Sequence, residues 1–432
     1  MKSVTILTIA AMAMAAATGC SHDNPTPSPE PPVKGGEFNE FGFTTTAPVT
    51  LSVDYGDMAG MPANVYFEVY DTCPVEETET AYAKIAGVEP LYAGYTDGQG
   101  RFEGTIELPA YIRKAYVLTP AFYARTLLEA TRSGDMLTAS AESGAPANAA
   151  PASTRAKEYH STAVERDGWK TWLGSYDTTY GSIGYEYDGD LKVKNYGALL
   201  KAHASVFDTT KKCPKEYRSS RDLYLEKSAE VVITLLGSNT CWNSSMGYYY
   251  YKTGNKPKSL ADANVVMIFP NTQDGRWSNS PWESRLYQGV ERGTAVQLIY
   301  YPEIADGSKA GATTVFPADY RIGFVLATNA WTNRLRAGDK KYRAATSDGL
   351  SVNNNGVAYQ TPRTAVFRYT DKKSGINSVL FSFEDHTNDE NFSDVVFTMT
   401  SNPVDAVTDI PSVDVNDGKK TANVLRGIYA FE

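Results

Sequence analysis

SVLFSFEDHTNDENFSDVVFTMTS, residues Ser378 to Ser401, decides the fold of the C-terminal half. Its ends, SVLFSFED and SDVVFTMTS, are apolar or alternating runs of strand length, and the polar stretch between them suits a turn. Five more such runs lie between about Asp222 and Ala406: AEVVITLLG, ANVVMIFPN, TAVQLIYYPE, RIGFVLATN and TAVFRYTD, parted by Gly, Asn and Asp. Strands at this density predict a jelly-roll-like sandwich of antiparallel sheets over residues 222–432. No long 3.6-residue period competes, although KNYGALLKAHAS reads as one short helix.

Working toward the N-terminus, residues 161–221 read as a connecting segment and residues 126–160 as a linker. The core of that linker, TASAESGAPANAAPASTRA, is poor in large apolar residues and cannot offset the entropy of ordering itself. Residues 37–125 alternate again. In VYFEVY, Val65, Phe67 and Val69 point one way and Tyr66, Glu68 and Tyr70 the other, as in a half-buried strand, so this stretch predicts a first β-sandwich. Asp97-Gly98 and Gly100 supply the tight turn before Phe102 re-enters the core.

The first twenty residues, MKSVTILTIAAMAMAAATGC, pair a basic start with an apolar stretch too short for a membrane span, which marks an export signal over residues 1–19. The ending resembles a bacterial lipobox, with Ala17 where Leu is commonest, and implies that Cys20 is lipidated and holds the protein at a membrane. Residues 20–36, with five prolines between Pro25 and Pro32, form a tether that would stand the folded part up to about 50 Å from the lipid. Of the other cysteines, Cys213 and Cys241 are the pair best placed to test for a disulfide, and Cys73 is left over.

The Thr96, Asp97, Gly100, Phe102 turn resembles that of the carboxypeptidase-regulatory or transthyretin-like β-sandwich, which implies a spacer or interaction module. Taken with the lipobox, the SSMGYYYYKTG segment at Ser244 to Gly254 and the closing acidic motif, the chain resembles the LruC-domain lipoproteins, bacterial surface proteins with a C-terminal β-domain of unknown function. The resemblance implies an outer-membrane lipoprotein at the cell envelope, and leaves open which side of the membrane it faces. This chain keeps Phe383, Glu384, Asp385, Asp389, Phe392 and Asp394 of the motif, with Asn391 and Ser393 where Asp and Asn are commoner.

Five carboxylates crowd into the closing motif. Two unit charges about 4 Å apart cost roughly 4 kcal/mol at an effective dielectric of 20, so a converging set needs a cation or must splay into solvent. Glu384, Asp385, Asp389, Asn391 and Asp394 offer the hard oxygens calcium prefers, and Phe392 would pin their loop to the core. The alternatives are a solvated hairpin whose acids cap backbone amides, or a catalytic carboxylate pair.

Catalysis lacks supporting motifs. The chain has four His, and neither Gly-x-Ser-x-Gly, His-Glu-x-x-His nor a phosphate loop. His160, His203 and His386 stand far apart in the chain. The net charge of -9 and the absence of a basic run exclude nucleic acid as an expected partner. The reading is a non-catalytic adhesion, glycan-binding or assembly role, with a carbohydrate-active hydrolase or a fimbria-like structural component as alternatives. Trp277 and Trp282, in a polar loop-like segment, and Tyr248 and Tyr250, on one face of the tyrosine run, are the candidate surface for a glycan or a surface protein. Equally, with 29 Tyr and 6 Trp, many rings must simply pack.

Overall fold

The computed structural model describes residues 46–56, 64–77, 82–121, 124–141, 161–176, 181–193, 196–240, 242–273, 289–331, 342–371, 376–385, 389–410 and 412–413. Almost all its regular structure is β, as the alternating runs predict. Among the described residues no helix is long and apolar enough to cross a membrane. The leader, Cys20 and the proline tether lie outside the described residues, as do Cys241, His160, His386, Trp277 and Trp282.

The N-terminal sandwich is one seven-stranded sheet that curls on itself. Its strands are β1 (Thr46–Asp54), β2 (Tyr66–Tyr70), β5 (Tyr92–Tyr95), β6 (Arg101–Pro109), β7 (Lys114–Leu118), β8 (Leu127–Ser133) and β9 (Met136–Ser140), in the order β5-β2-β7-β8-β9-β1-β6. A small hairpin of β3 (Val75–Glu77) and β4 (Tyr82–Lys84) stands apart. Alternation drives the burial: Val49, Leu51 and Val53 of β1 face inward with Ile106 and Leu108 of β6. The two end strands are neighbours in sequence, joined at the Thr96–Gly100 turn. There the Asp97 carboxylate accepts the Gln99 and Arg101 amides at 2.9 Å each, and Gly100 takes a φ of +77°. The rings of Phe67 on β2 and Phe102 on β6 then meet edge to face across the core, 5.2 Å between centroids.

Two of these strands fall where the sequence reads as linker. β8 and β9 occupy residues 127–140, and β9 sits between β8 and β1, pairing with β1 in parallel. The boundary at 125 is therefore corrected to about 141. The physical reason is side-chain size: Leu128, Ala130, Leu137 and Ala139 alternate inward, but alanines and threonines carry too little apolar volume to stand out as a strand.

The connecting segment forms α1 (Thr162–Arg166) and α2 (Tyr196–Val206), the second in the stretch read as a short helix. Beyond it, two sheets face each other. One orders β10 (Leu223–Leu225), β16 (Tyr320–Ala327), β12 (Ser245–Lys252) and β13 (Val266–Phe269), with β17 (Arg343–Ala345) beside β16. The other orders β14 (Ala295–Gln297), β11 (Ala229–Ser238), β20 (Val395–Asn402), β19 (Ile376–Phe383), β18 (Thr364–Asp371) and β21 (Ser412–Val413), with β15 (Val315–Phe316) on β11. Phe324 of β16 reaches across to Phe381 and Phe397, 5.1 and 5.0 Å between centroids, and this aromatic cluster fastens the two sheets.

The outer face of the second sheet is covered too. Phe367 and Leu380 pack with Leu199, Leu200 and Ala204 of α2 and with Phe207 just past it, in a core continuous with that of the N-terminal sandwich. The acidic segment between β19 and β20 therefore emerges at a joint, with apolar structure on both sides.

Candidate functional site, a buried acidic hairpin

β19 and β20 pair antiparallel, and the last rung is Phe383 with Val395. Glu384 and Asp385 follow directly on one side, and Asp394 precedes on the other. Neither splays into solvent. Glu384 is 1 % exposed, Asp385 3 % and Asp394 1 %, while Asp389 is half-buried.

Each carboxylate uses one oxygen and leaves the other without a hydrogen-bond donor. Glu384 Oε2 accepts the Phe392 amide at 3.1 Å, and Asp394 Oδ2 accepts the Asp385 amide at 2.6 Å. Asp385 Oδ2 accepts the Thr240 hydroxyl, and Asp389 Oδ2 accepts Asn391 Nδ2 at 2.8 Å. Glu384 Oε1, Asp385 Oδ1, Asp389 Oδ1 and Asp394 Oδ1 are shielded from solvent and unpartnered by hydrogen bonds. Buried polar atoms are normally satisfied, so four such oxygens in one hairpin call for an explanation. Among the described residues the set is ion-paired by Arg363, whose Nη2 lies 3.3 Å from Glu384 Oε1.

The electrostatics follow from this. Burial, together with the neighbouring Asp389 charge, holds Glu384 well above the usual carboxylate range. Asp394 is raised likewise, by burial and then by Asp385 and Glu384. Asp385 is pushed up to about 7 by burial, even though the Thr240 hydroxyl favours its charged form. Burial raises Asp389 as well. Left to itself, the set must take up protons to stay dry.

Glu390 differs from its neighbours. Burial opposes its charge, but Arg218 and Lys212, at 3.2 and 3.4 Å, hold its carboxyl below its ordinary value. Its backbone is left-handed, φ +51°, as is that of Phe392, φ +60°. An aromatic residue in that region is strained by roughly 1–2 kcal/mol. The ring, fully buried in the joint, anchors the turn, as expected of a residue that pins the loop.

Three sequence candidates take different places. Asn391 is not a free ligand: its Oδ1 accepts the Ser393 amide at 2.7 Å, and its Nδ2 donates to Asp389 and to the Thr209 carbonyl. Its amide holds the turn together. Tyr248 is fully buried in the sandwich core, its hydroxyl donating to the Ile299 carbonyl, so it is no surface for a glycan. Tyr250 is half-buried and donates to the Tyr301 carbonyl. The expected exposed pair does not form, because β12 lies between β16 and β13 and both its faces are covered.

Sequence reasoning missed Thr240, Thr328 and Arg363. Thr240 and Thr328 reach the hairpin from the ends of β11 and β16, the latter by donating to the Asp385 carbonyl at 2.7 Å. No local signal marks them. Arg363 had one: Thr364 pairs with Phe383, so the preceding residue stands opposite Glu384.

Among the described residues no three His, Cys, Asp or Glu side chains already stand as a metal-holding group. Among the described residues, two surface clefts, of about 530 and about 500 Å³, are lined by other residues, among them Lys258 and Leu350 in one and Asp188 and Tyr196 in the other.

Residues 316–402 match the model of a family described as a domain of unknown function (DUF4114). The whole acidic hairpin falls inside that match. Residues 47–141 match a second, described as a domain of unknown function (DUF8469), whose limits follow the curled sheet through β9. No curated protein and no solved structure matches the chain.

Proposed function

We propose that this is an exported, lipid-anchored cell-envelope protein that works by adhesion, glycan binding or assembly and not by catalysis, and that its acidic hairpin takes a calcium ion in a structural role. The observation that carries the cation is the set of four shielded carboxylate oxygens that accept no hydrogen bond, only one of which, Glu384 Oε1, is ion-paired, to Arg363. Calcium accepts six to eight oxygens at about 2.3–2.6 Å, from carboxylates, carbonyls and water, in flexible geometry. Glu384, Asp385, Asp389 and Asp394 would supply the carboxylates, and the ion would replace the protons that the empty set must hold. The envelope placement rests on the lipobox at Cys20, the proline tether and the resemblance to LruC-domain lipoproteins.

The non-catalytic reading is supported by where the acids lie. A hydrolytic pair works from the wall of a groove open to substrate, with about 5–9.5 Å between carboxyls. Here the acids are enclosed between strand ends and the joint, and the two described clefts lie elsewhere. Trp277 and Trp282 remain the proposed glycan or protein contacts.

The test is thermal melting of the mature chain in calcium, then in excess chelator. A ligand that binds only the folded state adds RT ln(1 + [L]/Kd), about 2.7 kcal/mol at a hundredfold excess over Kd. A melting point indifferent to calcium and to chelator removes the ion from the proposal. A glycan array, compared between wild type and a Trp277→Ala/Trp282→Ala variant, tests the binding surface.

A further inference from the structure

The acidic hairpin touches more than itself. Asn391 Nδ2 bridges the Asp389 carboxylate and the Thr209 carbonyl, at 2.8 and 3.1 Å. Thr209 in turn donates both its amide, at 3.3 Å, and its hydroxyl, at 3.4 Å, to the carbonyl of Pro120, just past β7 of the N-terminal sandwich. A second arm starts at Glu390, whose carbonyl accepts the Cys213 amide at 2.7 Å and whose carboxylate pairs with Arg218. Arg218 donates to the Cys213 carbonyl at 2.8 and 3.0 Å and lies over the Phe392 ring, 5.2 Å from its centroid. Between the arms, Phe392 enters the core shared by α2 and the N-terminal sandwich.

We propose that the cation site is the latch of the joint between the two sandwiches: an ion among Glu384, Asp385, Asp389 and Asp394 fixes the 208–218 segment and, through Thr209, the N-terminal sandwich. This rests on the calcium reading above. Without the ion nothing bridges the four carboxyl groups, and the enclosure yields at the turn with two residues held in left-handed backbone, Glu390 and Phe392. Strands β19 and β20 are tied by a ladder, whereas the described part of the turn is held by the contacts just named, by the Phe392 amide on Glu384 and by Lys212 on Glu390. Its release cuts the Asn391–Thr209 and Glu390–Cys213 bonds together. The N-terminal sandwich keeps its fold and the apolar core it shares with α2, and loses the hydrogen bonds that fix the 208–218 segment against it.

Hydrogen exchange on the full mature chain, with calcium chloride and then with EGTA, tests this. The amides of Thr209 and Cys213 are expected to exchange at least tenfold faster in EGTA, while those inside β1 and β7 do not change. If calcium raises the melting point but exchange at 207–214 stays the same, the latch is wrong and the ion site stands. If calcium changes neither, both fall. In Asn391→Ala the four carboxylates remain, so calcium should still raise the melting point while the Thr209 amide responds less than twofold. A wild-type response there overturns the Thr209 route. If that variant does not fold, Arg218→Gln, which cuts the second arm away from the acids, supplies the same comparison at Cys213.

Discussion

Asp222 and Asp394 are aspartates of the same C-terminal sandwich, 5 % and 1 % exposed, and they are furnished in opposite ways. Asp222 Oδ1 accepts the Thr346 hydroxyl at 2.5 Å, and its Oδ2 accepts the Tyr251 hydroxyl at 2.6 Å and the Ser347 hydroxyl. Both its oxygens are answered by neutral donors. Asp394 has one backbone donor, one oxygen with no donor, and three other acids for company. Glu68 in the N-terminal sandwich repeats the first pattern, with Tyr66, Tyr70 and Lys84 around it. The chain thus furnishes the lone buried carboxylates Asp222 and Glu68 and withholds donors at the hairpin. A carboxylate that serves packing is surrounded by hydroxyls; a set left short of donors is shaped for a guest.

The contrast breaks most sharply under substitution. Asp222→Ala strands three hydroxyls and should cost about 3–5 kcal/mol by urea unfolding, equally with and without calcium. Asp394→Asn should do the reverse: in EGTA a neutral amide stands in for an acid already held above the usual carboxylate range, so the variant unfolds no more easily than wild type, while in calcium it loses the increment of about 2.7 kcal/mol expected at a hundredfold excess. Equal costs for Asp394→Asn in both conditions would place it in the same class as Asp222.

A smaller effect probes the wall of the hairpin. His203 of α2 is fully buried, its Nε2 at 2.7 Å from the Ser382 hydroxyl, and burial lowers it to about 3 even though the Phe392 backbone favours its charged form. The unfolded chain binds this proton below about 6.5 and the folded chain does not, so the contribution falls as pH drops from 6.5 toward 3. His203→Gln should therefore lose stability less steeply, the gap closing by about 1.4 kcal/mol per pH unit between about 6 and 4. Parallel pH profiles for the two proteins would show that His203 titrates normally. Smallest of all, Tyr251→Phe removes one of three donors from Asp222 and should cost about 1–2 kcal/mol, again without regard to calcium.

The period-two runs made both sandwiches legible, since burial on one face needs nothing beyond alternation and turns. Leu127–Ser140 escaped because two of its four inward residues are alanines and most of its outward ones are small or polar, a composition close to that of a linker. The crowding of Glu384, Asp385, Asp389 and Asp394 was legible as a cation site or a solvated turn; their enclosure was not, because the covering structure comes from α2 and the distant N-terminal sandwich. Asn391 read as a ligand on composition alone, yet its amide is spent on Asp389, Thr209 and Ser393. Tyr248 read as an exposed ring because a tyrosine run looks amphipathic, whereas β12 lies inside its sheet.

Arg363 carries a consequence for how the second sheet finds its alignment. Its carbonyl accepts the Glu384 amide at 3.0 Å, one step beyond the last rung of β18 and β19, so the two side chains oppose each other only in that alignment. A slip by one residue turns every side chain of a strand to the other face, and would leave a guanidinium enclosed with no anion, worth about 3–5 kcal/mol. The pair is a key cut for one lock: it adds little to the strength of the closed sheet, and it forbids the neighbouring ways of closing it.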